Sequence, residues 1–273
     1  MTSVKKIFGK TRAITIGAIH FPPLLGYRDF PGFKIAERNA LRDLRAFELA
    51  GFDGIIFENN YDIPHREFVD PAVIASLTYL GMSIKTATRL PVGISVLWND
   101  YLTALSIAKT LGLAFIRIPV FVDRVKTAYG VIKGDPGKII DARKRLQAED
   151  IALLTDIHVK HAKLLSSYSL TESADQAIKH GSDGLIITGQ WTGDAPQMQE
   201  LSDLRGHVGA FPIFAGSGAD KENICGICKL ANGAIVSTSL KNGNAYAHNA
   251  NIKLYSQRIS KDKAKTFADM LCV

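Results

Sequence analysis

Nothing in this 273-residue chain is apolar for long enough to cross a bilayer, because a spanning helix needs roughly 20 consecutive apolar residues. The basic segment Met1 to Lys10 is followed by neither the apolar core nor the small-residue cleavage site of a secretory leader. A cytoplasmic protein is expected, with membrane contact limited to the periphery. Cysteine is scarce: there are three, and no second Cys/His pair stands at zinc-ribbon distance from the C-x-x-C of Cys225 and Cys228. That pair falls in a segment, Lys221 to Leu230, that reads as helix, so two small buried residues one turn apart are the plainer reading. Also missing is any basic stripe interleaved with aromatics. The net charge of +7 comes from dispersed residues, such as Lys5 and Lys6, Arg143 to Arg145, and Lys261 to Lys265. Dispersed charge is a solvated surface, which argues against nucleic acid and leaves a small phosphorylated molecule as the expected partner.

What is present is ordinary globular material, 47% hydrophobic and 22% charged, with no shift in composition along the chain. Short apolar runs of strand length alternate with amphipathic stretches. The runs are Ala13 to Ile19, Phe52 to Phe57, Pro91 to Leu97, Ala114 to Pro119, Ile151 to Val159, Asp183 to Thr188, Phe211 to Ala215 and Gly233 to Val236. Helices are expected between them, the first over Lys34 to Ala50 on an apolar face of Ile35, Leu41, Leu44, Phe47 and Leu49. A long glycine-containing loop is expected after the fourth run, and a helical tail over Ala245 to Met270. Eight strand–helix units in one domain, residues 1–273, favour an α/β fold of the closed (β/α)8 barrel type, with a doubly wound open sheet as the alternative. Ala50 to Ile56 and His180 to Ile186 echo one another, as equivalent units of a barrel would. A homo-oligomer of such subunits is expected.

A barrel gathers the C-terminal ends of its strands on one rim, and here those ends are polar. Two clusters differ in kind. Glu58, Arg117, Asp156, His158 and Lys160 are candidate catalytic residues: on a strand from Ile151 to Val159, Asp156, His158 and Lys160 would share a face. Acid, imidazole and amine together suit general acid–base work; Lys160 is also a candidate for Schiff-base formation with a carbonyl. Two further readings stay open. Glu58, Asp156 and His158 have the donor types of a divalent metal site, the one cofactor considered, or the charged groups form an ion-pair network that fills a polar core. The second cluster is Thr188 and Gly189, Gly216, Ser217 and Gly218, and Ser237, Thr238 and Ser239. Exposed amides and hydroxyls on such loops are expected to hold a phosphate. His20, Asn59, Asn99, Asp100 and Lys241 complete the rim as candidate substrate contacts.

Several of these stretches resemble one family. Gly17-Ala18-Ile19-His20-Phe21-Pro22-Pro23-Leu24, Gly54 to Asn59, Pro91 to Ile94 with Asn99-Asp100, Phe115-Ile116-Arg117 and Asp156 to His161 are similar to the BtpA family, which includes the SgcQ-like proteins. So are Ile187-Thr188-Gly189 with Thr192-Gly193, Gly216-Ser217-Gly218, and Gly233 to Val236 with Thr238 to Lys241. The resemblance implies a ribulose-phosphate-binding type of barrel, and an enzyme of isomerase or lyase type on a phosphorylated sugar or nucleotide-like metabolite is the expectation. The alternatives are a scaffolding factor, as the photosystem I biogenesis branch of the family suggests, and a metal-dependent hydrolase. Two loops depart from the family pattern. Leu24-Leu25-Gly26-Tyr27-Arg28 stands where members tend to read Leu-Pro-Gly-Ser-Pro, and Ile118-Pro119-Val120 where they tend to read Val-Asn-Val.

Overall fold

Strands that are apolar on both faces must be covered on both, and a closed ring of parallel strands wrapped by its own crossover helices achieves this. The computed structural model describes residues 3–189, 191, 193–243 and 254–271 and has that architecture. Its barrel strands are β1 (Ile14–His20), β2 (Gly54–Glu58), β3 (Val92–Ser95), β4 (Phe115–Ile118), β7 (Ala152–Asp156), β9 (Gly184–Ile187), β10 (Ile213–Ala215) and β11 (Gly233–Val236). All neighbouring pairs are parallel, and β11 closes on β1. Outside the ring lie α2 (Phe33–Ala50), α3 (Pro71–Ala87), α4 (Tyr101–Leu111), α5 (Pro136–Arg145), α6 (Leu170–Lys179), α7 (Met198–Val208) and α8 (Ile224–Leu230). Cys228 is buried on α8 and Cys225 half-buried.

Inside the ring, register sets the side chains in layers. Ala18, Ile56, Gly93 and Phe115 are partners across four adjacent strands, and a Cβ on Gly93 would overlap the Phe115 ring. Phe214, Leu154 and Ile186 pack with them. Below this layer an unanticipated helix, α1 (Ser3–Phe8), plugs the N-terminal end. Its Phe8 ring lies 5.7 Å from Phe115 and 6.4 Å from Phe214. The barrel axis at that end is therefore packed around Phe8, and the polar strand ends lie at the opposite, C-terminal end.

Three expectations change. The face of α2 turned to the barrel is Ala36, Ala40, Leu44, Phe47 and Ala50, whereas Ile35 and Leu49 are exposed. Small alanines let the helix approach closely enough for Phe47 to cover Gly17, where a side chain would strike its ring. The loop after β4 is an antiparallel hairpin, β5 (Arg124–Thr127) and β6 (Gly130–Lys133), extended by β8 (Ala162–Leu164) into a small three-stranded sheet. Val125, Ile132 and Val159 pack this sheet onto Trp98 and Val120 at the barrel mouth. The fifth barrel strand stops at Asp156 rather than Val159, because His158 takes a left-handed backbone (φ 50°) that ends the extended run. Of the expected C-terminal tail, residues 245–253 lie outside the described residues, and among the described ones helix is confined to α9 (Lys261–Asp269). Ahead of α9, the buried pair of Arg258 and Asp43 at 2.9 Å ties this segment to α2.

Candidate active site at the barrel mouth

The topmost interior layer is polar. His20, Glu58, Ser95 and Arg117 are register partners on four successive strands, and all are buried. Arg117 organises the layer: its Nε and Nη2 donate to both Asp156 oxygens at 2.8 and 2.7 Å, and its Nη1 reaches Glu58 Oε1 at 3.4 Å. Burial opposes the guanidinium's charge, but Asp156 and Glu58 outweigh that and raise its pKa, so the group stays a cation. Gly216 makes room for it, since a Cβ there would press on Ile186 and Thr188 and lie 3.4 Å from Arg117 Nη2.

Lys160 enters the same space from the loop after β7. Among the described residues its ammonium has no hydrogen bond and no ion pair, because Arg117 already occupies the nearby carboxylates. Burial first and Arg117 second push its pKa down to about 8, with Glu58 and Asp156 restoring only part of the shift. His20 faces Glu58 at 3.8 Å, yet this is not a charged pair: burial and then Lys241 hold the imidazole well below its ordinary pKa, hence neutral. Its Nδ1 lies 3.1 Å from Asn60 Nδ2 and 3.5 Å from the buried Lys241 Nζ, which also donates to the Tyr61 hydroxyl at 3.3 Å.

His20, Glu58, Asn60, Arg117 and Lys160 line one cavity of about 820 Å³ at the C-terminal mouth, whereas Ser95, Tyr61 and the candidate substrate contact Lys241 lie outside its lining. Its second wall is the pair of loops after β10 and β11. Gly216, Ser217 and Gly218 stand beside Ser237, Thr238 and Ser239 in this wall, and Ser239 Oγ donates to the Ala219 carbonyl at 2.8 Å. The Ser237 hydroxyl is buried with no hydrogen-bond partner, and the backbone amides of Gly218, Ala219, Thr238 and Ser239 have none among the described residues. Gly218 adopts φ 68° against the backbone of Asp194 and Ala195, a position a side chain would overlap.

A chain with this barrel and this mouth can be set beside known proteins. The model of the BtpA family matches residues 11–266. The chain belongs to the BtpA family. The photosystem I biogenesis protein BtpA of Synechocystis is 37% identical over 85% of this chain and 82% of its own length. An uncharacterised mitochondrial protein of Caenorhabditis elegans is 31% identical over 94% of both chains. Among solved structures, tryptophan synthase of M. tuberculosis superposes with a TM-score of 0.59 at 15% identity, covering 99% of both chains. The phosphoribosylanthranilate isomerase of Pyrococcus furiosus gives 0.56 at 10%, covering 94% of this chain and 98% of its own. At these identities the structures establish the TIM-barrel fold alone.

Other candidate residues are placed elsewhere in this BtpA-family barrel. Asp156 lies behind Arg117 rather than on the cavity surface. Thr188 Oγ1 accepts from the Lys160 amide at 3.0 Å, and the Gly189 amide donates to Ser217 Oγ at 3.2 Å, so both shape the site from behind. Asn59 bonds the Leu97 amide and carbonyl, Asn99 bonds those of Val120, and Asp100 caps α4 through Thr103; these three hold loops and do not line the cavity. His158 is a correction. With the strand ended, its Nε2 meets the Tyr168 carbonyl at 3.2 Å, away from Asp156 and Lys160. The shared face of Asp156, His158 and Lys160 does not form. Nor does a metal triad of Glu58, Asp156 and His158, since Arg117 holds both Asp156 oxygens; among the described residues no three acids, histidines or cysteines converge as ligands. Sequence reasoning missed Asn60, His65, Trp98, Tyr129, Trp191 and the lining role of His161. None has a local signal, because each reaches the mouth on a loop whose path long-range packing sets.

Proposed function

We propose that this BtpA-family protein is an enzyme that binds a phosphorylated sugar or nucleotide-like metabolite and moves a proton at its carbonyl or glycosidic end, by isomerase- or lyase-type chemistry. The observation that carries the reading is the Lys160 ammonium, without an ion pair among the described residues, in a cavity that the Glu58 carboxylate also lines. An amine titrating at about 8 can give and retake a proton near neutrality, and in its neutral form it can attack a carbonyl. Glu58 is the complementary acid–base group, and Arg117 holds it in place. Across the cavity, the partnerless Ser237 hydroxyl and four unbonded amides offer an anion the donors it needs, on the loops where barrels of this kind usually take phosphate.

Thermal unfolding tests this directly. Inorganic phosphate or ribose 5-phosphate should raise the Tm of the wild type, by an amount equivalent to about 2.7 kcal/mol at a hundred times Kd. The double variant Ser237→Ala with Thr238→Ala should lose the response; Lys160→Met should keep it while losing turnover. If no phosphorylated ligand shifts the Tm, the enzyme reading fails. The identity with the photosystem I biogenesis protein then favours a second reading, an assembly factor that binds a protein partner at a membrane surface.

A further inference from the structure

We infer that the ligand of this cavity carries a planar aromatic or heteroaromatic ring together with its phosphate, so that a phosphorylated ribosyl heterocycle of nucleotide size fits it better than a bare sugar phosphate. The inference rests on the phosphate-binding reading and adds the other half of the ligand.

Polar groups floor the cavity and line its anion wall, but its rim is aromatic. Five segments far apart in sequence each supply a ring. His65 and Tyr129 meet edge to face, with centroids 5.4 Å apart and planes at 86°. His161 and Trp191 do the same at 5.4 Å and 63°. Trp98 forms the wall between β3 and the small sheet, buried and fixed by Val120, Val125 and Val159. A barrel needs none of this to close, and Tyr129 sits at the tip of the β5–β6 hairpin, an insertion whose inner end reaches the mouth.

Exposure points the same way. Trp191 is 62% exposed beside the cavity, a large apolar surface left to water until something covers it. A flat ring covers flat rings well, and aromatic side chains stack on any heterocycle because each presents a π face. The rim also carries hydrogen-bonding edges without charge. Burial, aided by His161, lowers the His65 pKa to about 4; burial and then Lys160 lower that of His161 to about 4, so both imidazoles are neutral at physiological pH. His65 Nδ1 is buried with no hydrogen-bond partner, an edge atom suited to a ring N–H or ring nitrogen. The volume of about 820 Å³ lies near the upper end for small-molecule sites, and a pentose phosphate alone would leave the rim wet.

Calorimetric titration of the full chain decides it, with ribose 5-phosphate set against the four common ribonucleoside 5′-monophosphates. At least one nucleotide should bind tenfold or more tightly than ribose 5-phosphate, and in Tyr129→Ala and Trp191→Ala that ratio should fall towards unity. Both positions are exposed enough to be truncated without loss of fold, which the Tm of each variant verifies. Ribose 5-phosphate binding as tightly as every nucleotide, or a nucleotide advantage that survives both variants, overturns the ring inference and leaves the phosphate reading standing. If inorganic phosphate, ribose 5-phosphate and all four nucleotides fail to bind, the phosphate reading falls and takes this inference with it.

Discussion

At the scale of single residues, the site depends on how two cations share two carboxylates. Arg117 takes both oxygens of Asp156 and one of Glu58, which leaves Lys160 in a desolvated space with no counter-ion of its own among the described residues. Keeping an amine charged there opposes folding. The unfolded chain holds the Lys160 proton up to its ordinary pKa near 10.5, the folded chain only to about 8. Below pH 8 the full penalty applies; between about 8 and 10.5 the unfolded state binds more protons, so stability gains as pH rises. Lys160→Met should therefore be more stable than wild type at pH 7, by about 1–3 kcal/mol, and the difference should shrink towards zero by pH 10.5. Unfolding curves at pH 7 and pH 10 measure both. A variant less stable at pH 7 would mean that the amine has a partner in solution.

At the scale of elements, the decisive feature is the small sheet over the mouth, and one buried acid holds it. Asp123 accepts from the His158 amide at 3.1 Å, Ser166 Oγ at 3.2 Å and Ser173 Oγ at 2.7 Å, joining the start of the hairpin to the loop after β7 and to α6. Those bonds explain why His158 is turned outward and Lys160 inward. Asp123→Ala should cost about 2–4 kcal/mol, because three donors lose a charged acceptor in a buried place. Amide exchange should quicken in Arg124 to Lys133 while β1 and β2 stay protected. Equal loss of protection in both regions would mean that the small sheet and the barrel open as one unit. No motif marked Asp123 beforehand: an aspartate after a Pro-Val-Phe-Val run reads as a loop residue until its partners, up to 50 positions away, are known.

Across the whole molecule the barrel has a stability pole and a chemical pole. α1 closes the N-terminal end with Phe8 against Phe115 and Phe214, some distance in the layer order from the polar top. Phe8→Ala should destabilise by about 2–3 kcal/mol, the low end for a phenylalanine because Phe8 is only partly buried. The Tm increment produced by a bound phosphate should be unchanged. A diminished increment would show that the plug and the mouth are coupled through the interior layers.

What the sequence determined by itself was periodic and local. Short apolar runs separated by helical stretches give eight strands and favour a ring over an open sheet, and their polar ends mark the chemical rim, so Glu58, Arg117, Lys160 and the Gly216 to Gly218 turn were visible from order alone. Where that logic was extended past its physical basis it failed: alternation assigns His158 to the face of Asp156 only while the chain stays extended, and a left-handed residue ends that. Tertiary structure alone decided which charge is satisfied and which is spare, because strand stagger brings Arg117 to Asp156 from 39 residues away. It decided the aromatic rim for the same reason. Rings on five separate loops become one surface only after the barrel has closed and the small sheet has folded over it.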